Sequence, residues 1–518
     1  MQRKKLGIQD YPQIAIDFSP RIPKINREKD KTKINVRYCV VAPFAYVHIY
    51  WDPKEYEVLY HVEEPVLDEK ETRQMKQLVS AMKNMINFDE VVKKTREALF
   101  EYIDKRFKML AIELGMDMDY ESYKRIYYYL CRDFIGFNET EPFLRDYFVE
   151  DIECNGTNCP VYIVHRVFRN LKTNISFRDN DVLESFVEKL AQRCGKYISY
   201  ARPILDGSLP DGSRVNATYT RDITSRGPTF TIRKFTKKPW TPPQLISFKT
   251  LSPEMLAYLW LLIEYKMNIL IIGGTASGKT TLLNAIAFFM PPESRVVSIE
   301  DTRELNLPRE NWLPSVARSA TGIGNLGEID LDDLLKSSFR QNPDYVIVGE
   351  VRGKEASVLF QGMASGHSSV STIHADSVET VIKRLETPPI ELSPSLLNVL
   401  DGVCIMTHAI VDKRETRKLR EIVEIVNVTQ DGTALTNTPF KWSAQENQFY
   451  FKKESKIFEK ISNRYGLSKD EISKEFQKRA KLLYKMYQMQ IFEFEEVQDL
   501  INEYYKRPEE VLRRFQIE

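Results

Sequence analysis

The sequence predicts an α/β protein: a mostly parallel sheet with helices on both faces over residues 251–430, an α+β region before it and a helical tail after it. Three observations point this way. From Leu251 to about Val428 short β-prone apolar runs alternate with helical stretches, the pattern of a parallel sheet covered by its own crossover helices. The segment "GGTASGKT" lies between the first of these strands and the next helix. From about residue 455 the chain is charged, with apolar residues recurring at helical spacing.

A chain of 518 residues suggests about three domains at ~150 residues each. With 74 basic and 73 acidic residues the net charge is +1, which gives no global case for wrapping nucleic acid but leaves a local basic face open. The start, "MQRKKLGIQDYPQ", turns polar at once and does not read as an export signal. The most apolar long window, "MLAYLWLLIEYKMNILIIGG", carries Glu264 and Lys266 and falls short of the ~20 apolar residues of a membrane span, so it reads as a buried helix and then a buried strand. Of the cysteines Cys39, Cys131, Cys154, Cys159, Cys194 and Cys404, only the pair in "CNGTNC" is close. It has no second pair to complete a zinc site, and reduced thiols are favoured over a Cys154–Cys159 disulfide.

Residues 1–115 read as an α+β subdomain. "INVRYCVVAPFAYVHIYWDPKEYEVLYHV" supplies strands around a "DPK" turn, and "LDEKETRQMKQLVSAMKNMINFDEVVKKTREALFEYIDKRF" one long charged helix. Residues 116–238 read as a second α/β domain, with strands near "DIECNGTNCPVYIVHR", a helix at "DVLESFVEKLAQRCG" and strands through "SLPDGSRVNATYTRDITSRGPTFTIRKF". Pro239, Pro242 and Pro243 then predict a semi-rigid linker over 239–250. After the sheet of 251–430, residues 431–518 are expected to form strands and a packed helical bundle. Ser468 is positioned as an N-cap three residues before Glu471, and Ile472, Phe476, Ala480, Leu483 and Tyr487 make the apolar stripe.

The chemistry is concentrated in the sheet. Gly273, Gly274, Thr275, Ala276, Ser277, Gly278, Lys279, Thr280 and Thr281 match a phosphate-binding loop. Backbone N–H groups and a helix N-terminus face phosphate, Lys279 spans the β- and γ-phosphates, and the Thr280 hydroxyl binds Mg²⁺. A plain glycine turn is the bland alternative, and the strand–loop–helix context argues against it. "PDYVIVGEVR" ends a strand on Glu350, a candidate for the Mg²⁺ side of the site, and "RVVSIEDTREL" delivers Glu300, Asp301 and Glu304 at another strand end, where one carboxylate can polarise attacking water. "GHSSVSTIHADS" adds His367 and His374, two of six histidines. A histidine in the core is the commoner fate, but beside these acids one that senses phosphate is favoured.

This order of four boxes resembles the secretion ATPases of the type II and type IV pilus superfamily, and "YHVEEP", "VEDIECNG", "PVYIVH", "SLPDGSRVNATY" and "TIRKF" resemble its archaeal branch over about residues 40–430. The resemblance implies a RecA-like motor domain that binds ATP with Mg²⁺. It makes Lys279 and Thr280 ligands of nucleotide and metal, Glu304 the water-activating glutamate, Glu350 the Walker B carboxylate and His374 the γ-phosphate histidine. Arg214 and Arg233 correspond to arginines that reach the nucleotide, and Arg340 and Arg352 are further candidates. It also implies a hexameric ring at the cytoplasmic face of a membrane, with a polytopic platform protein as partner and pilin-like subunits served indirectly. Nucleic acid is not expected as a direct partner, although a DNA-uptake or DNA-translocating motor of the same superfamily is the alternative, and a scaffold without turnover a third reading. Two departures stand out: Gly353 replaces the Asp that many members carry after Arg352, and the four-cysteine metal insert of bacterial members is missing.

Overall fold

The computed structural model describes residues 7–18, 20–23, 25, 28, 30–85, 96–318, 327–411, 414–452 and 454–517. It divides into two units, Met1–Phe235 and Thr236–Glu518.

In the first unit nine strands form one sheet: β1 (Asn35–Val41), β2 (Ala45–Asp52), β3 (Glu57–Glu63), β4 (Val149–Cys154), β5 (Pro160–His165), β6 (Arg169–Ser176), β7 (Ile204–Ser208), β8 (Arg214–Thr218) and β9 (Thr229–Arg233). Their order is β1-β2-β3-β6-β5-β4-β9-β8-β7, and all neighbours are antiparallel except β3 and β6, which pair Leu59 with Lys172 and Tyr60 with Thr173. That pairing crosses the boundary expected at 115/116. The strands on its two sides therefore share one core, in which Val47, Ile49, Tyr60, Ile163, Leu190 and Ile232 are buried. The single long helix expected after β3 is described as two, Glu69–Met85 and Arg96–Glu113, and residues 86–95 lie outside the described residues. With Tyr120–Leu130, capped by Asp119, these helices bury a second cluster around Leu78, Phe107, Tyr123 and Ile126.

The second unit holds another nine-stranded sheet: β10 (Ile269–Gly273), β11 (Val296–Glu300), β12 (Trp312–Val316), β13 (Tyr345–Val351), β14 (Ser368–Ile373), β15 (Gly402–Val411), β16 (Arg414–Val428), β17 (Ala434–Ser443) and β18 (Gln448–Phe451). The order is β12-β11-β13-β14-β10-β15-β16-β17-β18, parallel from β12 to β15 and antiparallel beyond. Successive side chains of a strand point to opposite faces. Ile269 and Ile271 enter one apolar cluster while Leu270 and Ile272 enter another, so helices cover both faces and this is the RecA-like α/β architecture expected.

The proline cluster is not an extended linker. Pro242–Ser247 is a short helix with Pro242 and Pro243 in its first turn, where the missing N–H groups have no intrahelical partner to lose. The Thr241 N–H donates to Gln244 Oε1 at 2.9 Å, and Leu245 and Ile246 are buried in the core of the second unit.

The tail also differs from a separate bundle. β17 and β18 extend the main sheet, and the helices Lys456–Tyr465, Lys469–Gln488, Phe494–Lys506 and Pro508–Arg514 contribute to the same core as Pro253–Glu264. Ser468 caps its helix through a reciprocal pair with Glu471. This covering explains why every residue from Met255 to Ile263 is buried. Trp260 Nε1 donates to Tyr505 OH at 2.8 Å, and that hydroxyl donates to Phe289 O at 2.6 Å. No described helix is long and apolar enough to cross a membrane.

Candidate nucleotide site

β10 is buried along its length and delivers the chain to the glycine-rich loop. Gly278 ends that loop at φ +96°, a left-handed conformation that costs glycine least, and the helix Lys279–Ala287 starts after it. Gly273 is required for space: a Cβ there would lie 2.6 Å from Ser277 Oγ and closer still to Met406 O. The Ser277 hydroxyl donates to Gly274 O at 2.8 Å. Lys279 Nζ turns back onto the loop, donating to Gly273 O at 2.9 Å and Gly274 O at 3.0 Å. Burial lowers the pKa of this ammonium, and the carboxylates of Glu350 and Glu304 oppose the shift. Thr280 and Thr281 follow in the first turn of the helix, and Thr275 and Ala276 are exposed at the loop tip.

Three neighbouring strands bring the other groups to the same carboxyl end of the sheet. β14, beside β10, ends just before His374, whose Nε2 lies 2.9 Å from Thr275 Oγ1. β13 carries Glu350, and Arg352 Nη2 donates to Glu350 Oε2 at 2.6 Å, which with burial opposing leaves the Arg352 pKa raised. β11 carries Glu300 at its end, with Asp301 and Glu304 exposed beyond it. Glu300 turns inward instead of joining an acidic surface. Its Oε1 accepts from the N–H groups of Glu304 and Leu305, each at 2.8 Å, and burial pushes its carboxyl up to about 7.

The departure at Gly353 has a local explanation. Glu355 Oε1 accepts from Arg352 N at 2.6 Å and Gly353 N at 2.8 Å, and a Cβ on Gly353 would lie 3.1 Å from Glu355 Oε2.

The direction of the parallel strands separates residues that the sequence groups together. Arg340, in the one-turn helix Phe339–Gln341, precedes β13 and so lies at the amino end of the parallel strands, about 20 Å of strand from Glu350. That end of the strands is opposite the one that carries the phosphate loop. His367 precedes β14 at that same end, its ring stacked on Phe339 at 4.9 Å, so the two histidines of the motif occupy opposite ends of one strand. Arg214 and Arg233 belong to the first unit, where they face each other directly across β8 and β9. There Arg214 Nη2 is 3.0 Å from Asp206 Oδ2 and Arg233 Nε is 3.1 Å from Asp151 Oδ1.

Four contributors were not singled out from sequence. Asn284 holds the Glu304 segment from the helix after the loop. Arg417, on β16, donates from Nε to Ala276 O at 2.8 Å and lays its side chain along Gly278. Arg384 donates to His374 O at 2.7 Å, and Arg420 to Asp376 O at 3.0 Å. Asn284 follows Thr280 by one helical turn, a spacing readable in "GKTTLLNAI"; the arginines come from distant strands and helices with no motif to mark them.

An ammonium, a glycine loop with a helix N-terminus, two carboxylates and a hydroxyl at one sheet end make a donor set for a nucleoside triphosphate. A model of the type II/IV secretion system protein family matches residues 152–460, more than half of the chain. The chain belongs to this family. It is a type II/IV secretion-family ATPase. An uncharacterised protein of Methanocaldococcus jannaschii, MJ0900, is 34% identical to this ATPase across 96% of its chain and 94% of the relative. The type IV secretion system protein PtlH of Bordetella pertussis is 31% identical across 47% of this chain and 80% of PtlH. Among solved structures, the VirB11 ATPase of Brucella suis in complex with sulphate is 24% identical, covering 54% of this chain and 94% of its own with a TM-score of 0.28. The Legionella pneumophila ATPase DotB is 18% identical, covering 70% and 94% with a TM-score of 0.39.

Proposed function

We propose that this secretion-family ATPase is a Mg²⁺-dependent motor that works as a hexameric ring and powers assembly of an archaeal type IV pilus-like filament or secretion of pilin-like subunits. The observation that carries the reading is the convergence of Lys279, Thr275, His374, Glu350 and the Glu304 segment at the carboxyl ends of four adjacent strands. The loop N–H groups and Lys279 hold the triphosphate, and the hard oxygens of Thr280 and Glu350 suit Mg²⁺, partly through water. Glu304 draws a proton from water as its oxygen attacks the γ-phosphorus, the bond to the β-phosphate oxygen breaks, and ADP and phosphate leave. His374 and Arg352 face the γ-phosphate, and the nucleotide roles of Arg214 and Arg233 belong to the same proposal.

The system served is argued from likeness: a relative matching nearly the whole chain is archaeal, and PtlH is by its name a type IV secretion protein. With no described helix suited to crossing a bilayer, the proposed membrane contact is a polytopic platform protein at the cytoplasmic face. The test is ATP turnover and binding. Lys279→Ala should abolish ATP binding in an equilibrium titration, and unchanged affinity would overturn the assignment. Rate per subunit should rise with protein concentration as the ring assembles. Stimulation by the platform protein or anionic lipid supports filament work, and stimulation by DNA alone would transfer the motor to DNA transport.

A further inference from the structure

The Glu304 carboxylate sits on an irregular segment: residues 301–311 contain neither helix nor strand. A group that must align water with a phosphorus atom needs a fixed backbone, because misplacement of about 1 Å costs on the order of 100-fold in rate. Two buried side chains outside the proposed chemistry fix it here.

Asn284 is 3% exposed on the helix Lys279–Ala287. Its Nδ2 donates to Thr280 O at 3.1 Å and to Glu304 O at 3.3 Å, and its Oδ1 accepts from Asn306 N at 3.1 Å. Only this amide orientation works, since a flipped side chain would set its oxygen against two carbonyls. Glu300 is 1% exposed and accepts from Glu304 N and Leu305 N through Oε1. The peptide groups on both sides of the Glu304 side chain are thus tied, its N–H to β11 and its carbonyl to the helix that bears Thr280. β13 leaves room for the arrangement: a Cβ on Gly349, next to Glu350, would lie 3.2 Å from Glu300 Cγ.

We propose that Asn284 and Glu300 are positioning residues that clamp the Glu304 backbone and set its carboxylate against the phosphate-loop helix. The inference rests on the reading of Glu304 as the water-activating group.

The test is a double-mutant cycle read by ATP turnover, ATP affinity and thermal unfolding. Asn284→Ala and Glu300→Ala should each lower kcat by about 10- to 100-fold while changing ATP affinity less than about threefold. Glu300→Gln keeps the acceptor oxygen and should recover most of the rate. In a Glu304→Gln background each alanine should add less than about a threefold further loss, because the clamp then holds a side chain that no longer takes the proton. If Asn284→Ala fails to fold, Asn284→Leu serves: it fills a similar volume without the amide's donors and acceptor, and should show the same loss in kcat. Losses that multiply with that of Glu304→Gln, losses in affinity equal to those in kcat, or wild-type kcat in the alanine variants would overturn the clamp. Glu304→Gln alone turning over at the wild-type rate would overturn the water-activating reading, and the clamp with it.

Discussion

Thr275 and His374 stand 99 residues apart in the chain and meet at 2.9 Å, hydroxyl to Nε2. The bond joins the tip of the phosphate loop to the end of β14, while Arg384 holds the backbone carbonyl of His374 from the other side. In the proposed site a γ-phosphate at the loop would compete with Thr275 for that ring nitrogen, and on that proposal the histidine would distinguish triphosphate from diphosphate. His374→Ala should therefore lower turnover by about 10- to 100-fold and weaken ATP more than ADP. Parallel titrations of the two nucleotides measure this, and equal losses would make His374 a strut for the loop.

Arg352 Nη2 donates to Glu350 Oε2 at 2.6 Å and sets a positive charge against the carboxylate. In the proposed role Glu350 organises Mg²⁺ and water, and Glu350→Gln keeps the shape while removing that charge. ATP binding should persist while turnover falls by about 100-fold or more. Turnover near wild type would shift the metal-side role to another acid.

The placement of the candidate groups was legible in the sequence where a strand and its end carry them: the loop at 273–281 begins at the end of β10, Glu350 lies near the end of β13 and His374 follows β14. It was less legible where the fold decides between like residues. Glu300 and Glu304 are four residues apart in one acidic run, yet one is buried as an acceptor for backbone N–H groups and the other is exposed. Arg340 looked equivalent to Arg352 until the direction of β13 put them at opposite ends. The proline-rich segment shows the same limit, since prolines that disfavour a helix interior are tolerated in a first turn once Thr241 and Gln244 cap it.

Arg479 locks the tail onto the main core. Its guanidinium is buried, pairs with Glu264, meets Glu475 Oε1 at 2.8 Å and lies 4.8 Å from the Trp260 ring centre. Arg479→Ala leaves two acids facing each other without their cation and should cost about 3–5 kcal/mol, read from the denaturant midpoint. Adding Glu264→Gln and Glu475→Gln should restore part of that loss. A loss below about 1 kcal/mol would show that the apolar contacts alone hold the tail.

In the first unit, His165 is buried beside Tyr38, with Asp146 and Arg166 as its charged neighbours, and its Nδ1 accepts from Val167 N at 3.1 Å and Phe168 N at 3.2 Å. Burial pushes its pKa down to about 4, against 6.5 for a free histidine. Between those values the unfolded chain binds a proton that the folded unit refuses. Its contribution is fully present above about pH 6.5 and is lost as pH falls towards 4. Thermal midpoints should decline over that window, and His165→Asn, whose amide oxygen can accept the same N–H groups, should flatten that part of the profile. An unchanged slope in the variant would assign the decline to other groups.

Gly353 stands where the resemblance drawn from the sequence leads to an expectation of Asp. Here the neighbouring Glu355 already accepts from both Arg352 N and Gly353 N, and it does so from a position only 8% exposed at the start of the helix Glu355–Ala364. A Cβ at 353 would press on its second oxygen at 3.1 Å, and a carboxylate would add a like charge beside it. The Glu355 carboxylate must then shift, which moves Arg352 and with it the pair to Glu350. Gly353→Asp should lower turnover about 3- to 10-fold, roughly the effect of one lost hydrogen bond at the site. Gly353→Asn carries the same bulk without the charge and should lose less, and Gly353→Ala should lose least. If Glu355 is what forbids the acid, Gly353→Asp combined with Glu355→Gln should recover rate, because the amide oxygen still accepts from both N–H groups while the repulsion is gone. Steady-state rates across these four variants decide it: equal losses for Asp and Asn would make the effect steric, and a wild-type rate for Gly353→Asp would remove the account altogether.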